Sequence, residues 1–324
     1  MLSYRQAEKV SAIVRLHSCS IAQLRNCMIA QSHNCTIVRF HNYMIVQLYN
    51  CVIVQLYDCT ITQLHHRSLS VIMSRICAVV SQKGGVGKTS LVQNLGAELA
   101  GSNGQRVLCV DFDPQSNLTI GWGLDPVDGR PTVYEAMLNP ETVQRCIVER
   151  RPNLDLLPAN LDLAGAERQF AADFDRNSKL KEALQPVAGL YEFILIDVPP
   201  TLGFFAANAL VAATEALVPL QLQVYAFRML DPMLELIGQA KKANPGLKLA
   251  AIIPTMYDGR TSLSQPVLEA AREKFGALVT QTIIPVNVRI ADAPLHGIPV
   301  QEHDPRSSGA LAYHSLAKEL LSRG

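Results

Sequence analysis

The sequence predicts an α/β fold for residues 73–324, with a mostly parallel sheet flanked by helices on both faces. Short apolar runs alternate with longer amphipathic segments along this part of the chain, as expected when helices join parallel strands. A glycine-rich turn follows the first apolar run, and two later runs end in aspartate. We therefore expect strands near residues 76, 106, 154, 192, 215, 248 and 280.

Length and composition suit a globular protein. The chain has 324 residues, of which 48% are apolar and 18% are charged, and this balance argues against a disordered or collagen-like chain. The formal net charge is only +1, so binding to nucleic acid or a membrane surface would need a local basic patch. Residues 1–72 carry +4, which leaves −3 for residues 73–324.

Residues 17–64 repeat an eight-residue unit six times, with isoleucine in register in every unit and cysteine in five. Three interpretations are open: a solenoid or stack of hairpins, a Cys/His metal array, and the translation of a tandem DNA repeat upstream of the gene. The metal array has the least support because the paired spacings of zinc sites are absent. The near-perfect period favours the third interpretation. We therefore expect residues 1–72 to be a non-native extension and Met73 to be the authentic start, which the intact mass of the native protein would test.

The sequence contains no uninterrupted apolar run of about 18 residues, the length that a membrane-spanning helix needs. After residue 72 the cysteines are scattered singly, at Cys77, Cys109 and Cys146. Such spacing does not indicate a disulfide framework, so we expect a cytoplasmic protein.

The glycine-rich turn has the features of a phosphate-binding loop. The run ICAVV is followed by SQKGGVGKTS and then by the amphipathic segment LVQNLGAELA, which predicts a strand, a loop and a helix that begins near Lys88. Glycines let backbone N–H groups surround phosphate oxygens, and the helix N-terminus favours an anion. Lys88 would neutralise the β- and γ-phosphates and Thr89 would bind Mg²⁺. The predicted contacts to the nucleotide ATP are Lys83, Gly84, Gly85, Val86, Gly87, Lys88, Thr89 and Ser90.

This loop departs from the usual P-loop pattern, because Gln82 stands where the first glycine is expected and a second lysine, Lys83, opens the loop. Two apolar runs supply the carboxylates that a P-loop NTPase needs near Mg²⁺. One ends in Asp111 and Asp113, and the other ends in Asp197. Because ligands of parallel α/β sheets bind at the carboxyl ends of strands, we expect these aspartates beside the loop.

Residues 73–324 resemble the ParA/Soj-type chromosome and plasmid partition ATPases, part of the deviant Walker A group that also contains MinD. The resemblance is carried by QKGGVGKTS, VDFDPQSNLT, LIDVPPTLG, PTMYDGRTSLS and IPVNVRIADAPLHGIPV. It implies an Mg²⁺-dependent ATPase switch. ATP would close a homodimer that binds double-stranded DNA without sequence preference, at the nucleoid. A ParB-like centromere-binding partner would then stimulate hydrolysis and release the dimer.

The resemblance also implies roles for particular residues. Lys83 is similar to the signature lysine that reaches the ATP phosphates of the partner protomer. Asp113 resembles the residue that positions the hydrolytic water, and Asp111 and Asp197 resemble the groups that hold Mg²⁺ through its waters. The predicted catalytic residues are thus Lys83, Lys88 and Asp113, and those associated with the metal are Thr89, Asp111 and Asp197.

Further positions match the family's base and DNA contacts. Pro285 and Asn287 lie where the family contacts adenine, and Arg260 and Arg289 lie where it binds DNA. Val286 stands where the family usually has arginine, so one basic side chain is missing there.

The segment Gln223–Met229 lacks two acids that the family tends to carry, which affects partner control or switching more than nucleotide binding. We also expect the segment around Trp122 to be a mobile surface element over the nucleotide. Two alternative functions stay open: a MinD-like ATPase that positions membrane or protein cargo, and a nucleotide-dependent binding module with negligible turnover. An iron–sulfur reductase has little support because Cys77 and Cys109 lie inside predicted strands.

Overall fold

The computed structural model describes residues 10–16, 19–24, 27–32, 35–40, 43–48, 51–56, 74–223, 226–261 and 264–323. Met73, the expected start, lies outside the described residues, as do Val224 and Tyr225 of the altered segment. The chain divides into two compact units, Met1–Ser70 and Val71–Gly324.

The first unit contains a six-stranded antiparallel sheet in which the strands follow one another in chain order. Strands β2 to β6 are each six residues long and are joined by two-residue connections, so one strand and one connection account for the eight-residue period. This arrangement agrees with the hairpin interpretation of the repeat, while the expectation that the segment is not native stays a prediction. The strands are β1 (Val10–Leu16), β2 (Cys19–Leu24), β3 (Cys27–Ser32), β4 (Cys35–Phe40), β5 (Tyr43–Leu48) and β6 (Cys51–Leu56).

The second unit is built on a seven-stranded sheet with the order β13-β12-β7-β11-β8-β10-β9. Only β9 is antiparallel to its neighbour, and the other pairs are parallel. The predicted fold class is therefore confirmed. The strands are β7 (Arg75–Val79), β8 (Val107–Asp111), β9 (Val148–Arg151), β10 (Leu154–Leu157), β11 (Phe193–Asp197), β12 (Glu215–Gln221) and β13 (Lys248–Thr255).

The strand expected near residue 280 is wrong. Val279 forms only an isolated bridge with Ile252, and the following backbone N–H groups of Gln281 and Thr282 donate to the carboxylate of Glu319 at 2.8 and 2.9 Å. A side chain from the last helix thus takes the hydrogen bonds that a regular strand would give to β13. The seventh strand is instead β9, at the opposite edge of the sheet.

Helices cover both faces of this sheet. Alternate residues of each central strand enter two separate apolar clusters, so that Ala78 and Leu108 face one side and Val79 and Cys109 face the other. Helices α1 and α12 pack on the second face, and α3, α6, α7 and α8 contribute to the first. The helices are α1 (Lys88–Gly101), α2 (Asn117–Gly121), α3 (Val133–Leu138), α4 (Val143–Cys146), α5 (Ala166–Gln169), α6 (Lys179–Leu184), α7 (Phe204–Ala212), α8 (Ala226–Ala243), α9 (Ser264–Phe275), α10 (Val288–Asp292), α11 (Val300–His303) and α12 (Ser308–Ser322).

Close packing holds α1 against the sheet. A Cβ atom added at Gly96 would lie 2.6 Å from the Sγ atom of Cys109 on β8. Glycine is therefore required at this position for the helix to approach the strand. The helix that follows the glycine-rich loop is in this way fixed directly onto the strand that ends in Asp111.

Trp122 does not form a surface element, so that expectation is wrong. Its side chain is fully buried in the cluster that also contains Leu118. The short helix α2 directs the chain inward at this point, and the guanidinium of Arg150 donates to the Trp122 carbonyl oxygen at 2.6 Å. No helix among the described residues combines the length and the apolar character that a membrane crossing requires.

Candidate nucleotide-binding site

The glycine-rich loop joins β7 to α1, and the helix begins at Lys88 as predicted. Gly85 and Gly87 have φ angles of 73° and 89°, in the left-handed region that residues with a side chain rarely adopt. No side chain caps the N-terminus of α1, and its first turn contains no acidic residue. The first N–H groups of α1 are therefore available to an anion.

Lys88 is a buried cation at the start of this helix, only 7% exposed. Burial lowers the pKa of its ammonium group, while the nearby charges of Asp197 and Asp113 act in the opposite direction. Its Nζ atom donates to the carbonyl oxygen of Lys83 at 3.5 Å, the one hydrogen bond it makes within the described residues. Since an ammonium group has three donors, Lys88 can bind a further anionic group.

Two buried carboxyl groups lie beside the loop. Asp111 and Asp197 end neighbouring parallel strands and are paired in the register of β8 and β11. Burial is the main reason that the pKa of Asp111 is raised to about 6 and that of Asp197 to about 8, and the charge of Asp111 contributes to the rise at Asp197. The predicted proximity of these aspartates at the sheet edge is observed, and a cation there would favour their ionised forms.

The donor set fits a magnesium ion. The hydroxyl of Thr89 donates to Oδ2 of Asp197 at 2.7 Å, while Oδ1 of Asp197 is buried without a partner among the described residues. Oxygen atoms are the preferred ligands of Mg²⁺, which keeps several waters and binds through one or two protein groups together with phosphates. In agreement, no group of three or more His, Cys, Asp or Glu side chains in the described residues is arranged to hold a metal.

Asp111 also organises the loop that follows β8. Its Oδ2 atom accepts hydrogen bonds from the backbone N–H and the hydroxyl of Thr119, at 2.8 and 2.6 Å. Its Oδ1 atom accepts from the backbone N–H of Asp113 at 3.2 Å. Thr119 was missed in the sequence because nothing in the local pattern shows that the chain turns back there.

Asp113 lies at the edge of the buried region and is 8% exposed. Its Oδ1 atom accepts a hydrogen bond from the backbone N–H of Gln115 at 2.9 Å. This contact leaves Oδ2 as an acceptor without a described partner. A carboxylate in this position can orient a water molecule, although its role stays a prediction.

Lys83 is held within its own protomer by two glutamines. Its Nζ atom donates to Oε1 of Gln221 at 2.6 Å and to Oε1 of Gln223 at 2.5 Å. These residues line a cavity of about 250 Å³ together with Val86 and Leu230. Sequence reasoning missed both partners, although the run PLQLQ at the end of β12 placed two amides at the carboxyl edge of the sheet. The altered segment thus begins at a residue that directly contacts Lys83.

The segment proposed to contact adenine lies near the loop. Pro285 forms a bridge with Tyr257, and the preceding residue, Met256, has its methyl group 3.8 Å from the point where a Cβ on Gly87 would lie. Asn287 caps α10, with its Oδ1 atom accepting from the N–H of Arg289 at 2.8 Å. The fold therefore already uses the Asn287 side chain, and its role toward adenine stays a prediction.

Both arginines proposed to bind DNA are exposed and lie next to acidic groups. The side chain of Arg260 is 87% exposed and pairs with Asp258 at 2.8 Å. That of Arg289 is 55% exposed, and its Nε atom lies 3.5 Å from the carboxylate of Asp304. Phosphate groups would have to compete with these carboxylates.

Comparison with known proteins gives the family. The AAA domain family matches residues 74–249. The chain is 41% identical over 257 residues to the sporulation initiation inhibitor protein Soj of Bacillus subtilis, which covers 78% of this chain and 100% of that protein. It is 39% identical over 253 residues to the chromosome partitioning protein ParA of Caulobacter vibrioides, which covers 77% of this chain and 94% of that protein. The chain belongs to the ParA/Soj family.

A solved structure agrees with this assignment to the ParA/Soj family. The structure of cobyrinic acid a,c-diamide synthase from Mycobacterium smegmatis, with bound ADP and magnesium, superposes with a TM-score of 0.68 at 37% identity. The match covers 77% of this chain and 94% of that chain. The resemblance inferred from the motifs and the P-loop NTPase fold are both confirmed.

Proposed function

We propose that residues 73–324 act as an Mg²⁺-dependent ATPase switch in DNA segregation. The observation that carries this proposal is the meeting of Lys88, Thr89 and Asp197 at an uncapped helix N-terminus. A buried cation, a hydroxyl and an unpartnered carboxylate oxygen are the groups that a nucleotide with its metal requires. The repetitive segment before residue 73 has no part in this function.

The residues around the loop divide the work of phosphate binding. The N–H groups at the start of α1 and the ammonium of Lys88 bind the β- and γ-phosphates. Thr89 and Asp197 hold the metal, which when bound neutralises charge on the phosphate oxygens. Because Lys88 is nearly excluded from solvent, its attraction for phosphate is screened little by water.

Asp113 orients the attacking water. In hydrolysis the water oxygen bonds to the γ-phosphorus while the bond from that phosphorus to ADP breaks. The backbone contact of Gln115 to one carboxylate oxygen fixes the orientation of Asp113. Binding of ATP and its hydrolysis can therefore be separated by substitution at Asp113.

The ATP-bound protein is a homodimer that binds double-stranded DNA through Arg260 and Arg289, and a ParB-like partner stimulates hydrolysis and releases it. The names of the Soj and ParA relatives support this role in chromosome partitioning. With a net charge of −3 for residues 73–324, binding would depend on local phosphate contacts and be sensitive to salt. The protein would then be found at the nucleoid.

The membrane-positioning alternative has less support. A MinD-like anchor needs an amphipathic helix with a free apolar face, whereas Tyr313, Leu316 and Leu320 of α12 are buried in the core. The third possibility, a binding module with negligible turnover, predicts ATP binding without measurable phosphate release.

Binding to random duplex DNA, measured with ATP or ADP and Mg²⁺ across a salt series, tests this function. We expect salt-sensitive binding with ATP and much weaker binding with ADP. Equal binding, or none, with both nucleotides would show that the cargo is not DNA, and phosphate release in the same samples separates the switch from the inert binding module.

A further inference from the structure

A cluster of guanidinium groups lies outside the nucleotide site, on the edge strand β9. Arg150 donates to the carbonyl oxygen of Trp122 at 2.6 Å, and the Cζ atom of Arg151 lies 5.8 Å from the centre of the Trp122 ring. Arg151 also donates to the carbonyl oxygen of Arg150 at 2.7 Å. The fully buried Trp122 therefore fixes the positions of both arginines.

Charge within this cluster is not balanced. Arg151 forms a two-point ion pair with Glu302, at 2.7 and 2.8 Å, and Arg130 pairs with Asp128. Arg150 has no carboxylate partner within the described ranges. Its Nε atom is buried without a partner there, and its Nη1 atom, which is not buried, has none either.

Neighbouring charges act on Arg150 in the same sense. Burial lowers the pKa of its guanidinium group, and the positive charges of Arg151 and Arg130 lower it further. Arginine nevertheless stays protonated in proteins. Arg150 is thus a cation held next to other cations without a compensating acid, and an anion at Nη1 would relieve that repulsion.

The cluster lies close to the proposed DNA contact Arg289. Glu302, the partner of Arg151, is on α11, and Asp304, which lies 3.5 Å from Arg289, follows that helix. Glu302 and Asp304 are two residues apart, so their Cα atoms are separated by at most about 7 Å. Arg151 and Arg289 therefore contact neighbouring points of one short segment, and the exposed Arg306 follows it.

We propose that Arg150 contacts a backbone phosphate of bound duplex DNA, and that the DNA face extends from Arg289 across α11 to the edge strand β9. This inference rests on the proposed function. A phosphate suits the site because the planar guanidinium group binds phosphate oxygens with directed hydrogen bonds. Such a contact carries no sequence information, as a nonspecific DNA-binding protein requires.

The test compares the salt dependence of DNA binding by the full chain with ATP and Mg²⁺ in three variants. Arg150→Gln removes the charge but keeps an N–H donor for the Trp122 carbonyl. Arg150→Lys keeps the charge, and Arg145→Gln is the control, because Arg145 is an exposed cation on α4 outside the cluster. Thermal unfolding and ATP binding are measured on the same samples.

Each phosphate contact contributes about 0.9 to the slope of log affinity against log salt concentration. We expect Arg150→Gln to reduce the slope by about this amount per protomer, which at 0.1 M salt corresponds to about an eight-fold weaker binding. Arg150→Lys should keep the slope, and the Arg145 variant should match the wild type.

An unchanged slope in Arg150→Gln, with ATP binding intact, would overturn the inference. An equal loss in the glutamine and lysine variants, with lowered thermal stability in both, would also overturn it, because Arg150 would then only support Trp122. If the wild type itself shows no ATP-dependent DNA binding, the proposed function fails, and this inference fails with it.

Discussion

Replacing Gln223 by glutamate places a negative charge against the Lys83 ammonium group. In the structure Nζ of Lys83 already lies 2.5 Å from the Gln223 side-chain oxygen, so the new carboxylate would occupy the same position. In the sandwich dimer that we propose, Lys83 must leave this partner to reach the second nucleotide. The substitution is therefore expected to hold Lys83 in its own protomer and oppose dimerisation.

The size of the effect follows from exposure. Gln223 is exposed and Lys83 is half-buried, and ion pairs at such positions contribute about 0.2–1 kcal/mol. Both protomers lose the pair when the dimer forms, so the free energy of dimerisation becomes less favourable by about 0.4–2 kcal/mol. This range corresponds to a dimerisation constant weaker by about 2-fold to 30-fold.

Sedimentation velocity with ATP and Mg²⁺ measures this constant. The Asp113→Ala background is used because loss of the water-positioning carboxylate should keep ATP in the dimer. Gln223→Ala is the matched control, and it should dimerise at least as readily as the parent because it removes one contact of Lys83. If Gln223→Glu dimerises as well as the alanine control, Lys83 does not have to leave its glutamine partners for assembly, and the reasoning is refuted.

Three further predictions concern the charged groups of the site and of the DNA face. Lys88→Ala should reduce nucleotide binding below detection in calorimetric titration, because it removes the buried cation at the phosphates; retained affinity would contradict this role. Arg289→Glu should abolish DNA binding but leave ATP binding unchanged, and full DNA binding by this variant would place the DNA face elsewhere. The folded-state pKa values of Asp111 and Asp197, about 6 and about 8, lie above the ordinary value of 3.8. Their contribution to stability is thus fully present below about pH 4 and is lost as the pH rises through 6 and 8, so thermal unfolding of the metal-free protein should occur at lower temperature over this range, and Mg²⁺ with ADP should reduce the dependence; no such trend would contradict the burial of these carboxyl groups.

Much of the fold and the centre of the site could be predicted from local patterns. The loop is recognisable because its glycines are close in sequence to the lysine and threonine that act with them. Asp111 and Asp197 could be placed together because parallel strands bring their carboxyl ends to one edge. These features depend on residues that are adjacent in sequence or on the general geometry of a sheet.

Other features depend on contacts between distant residues. The apolar run near residue 280 has the composition of a strand, yet Glu319 takes its N–H groups, and nothing within the run indicates this. Trp122 follows a polar motif, and only the packing around Leu118 shows that it is buried. In the same way, Lys83 gave no indication of its glutamine partners, which lie 138 and 140 residues further along the chain.

The equality between the repeat unit and one strand with its connection has a consequence for inheritance. Tandem repeats change in copy number by replication slippage, and loss or gain of one unit here would remove or add one whole strand while the pairing of the others is kept. Because neighbouring strands run in opposite directions, an odd change would move the point where the chain leaves the sheet to the opposite end, whereas an even change would not. Variants of this gene that carry the segment should therefore differ in tolerance according to the parity of their copy number.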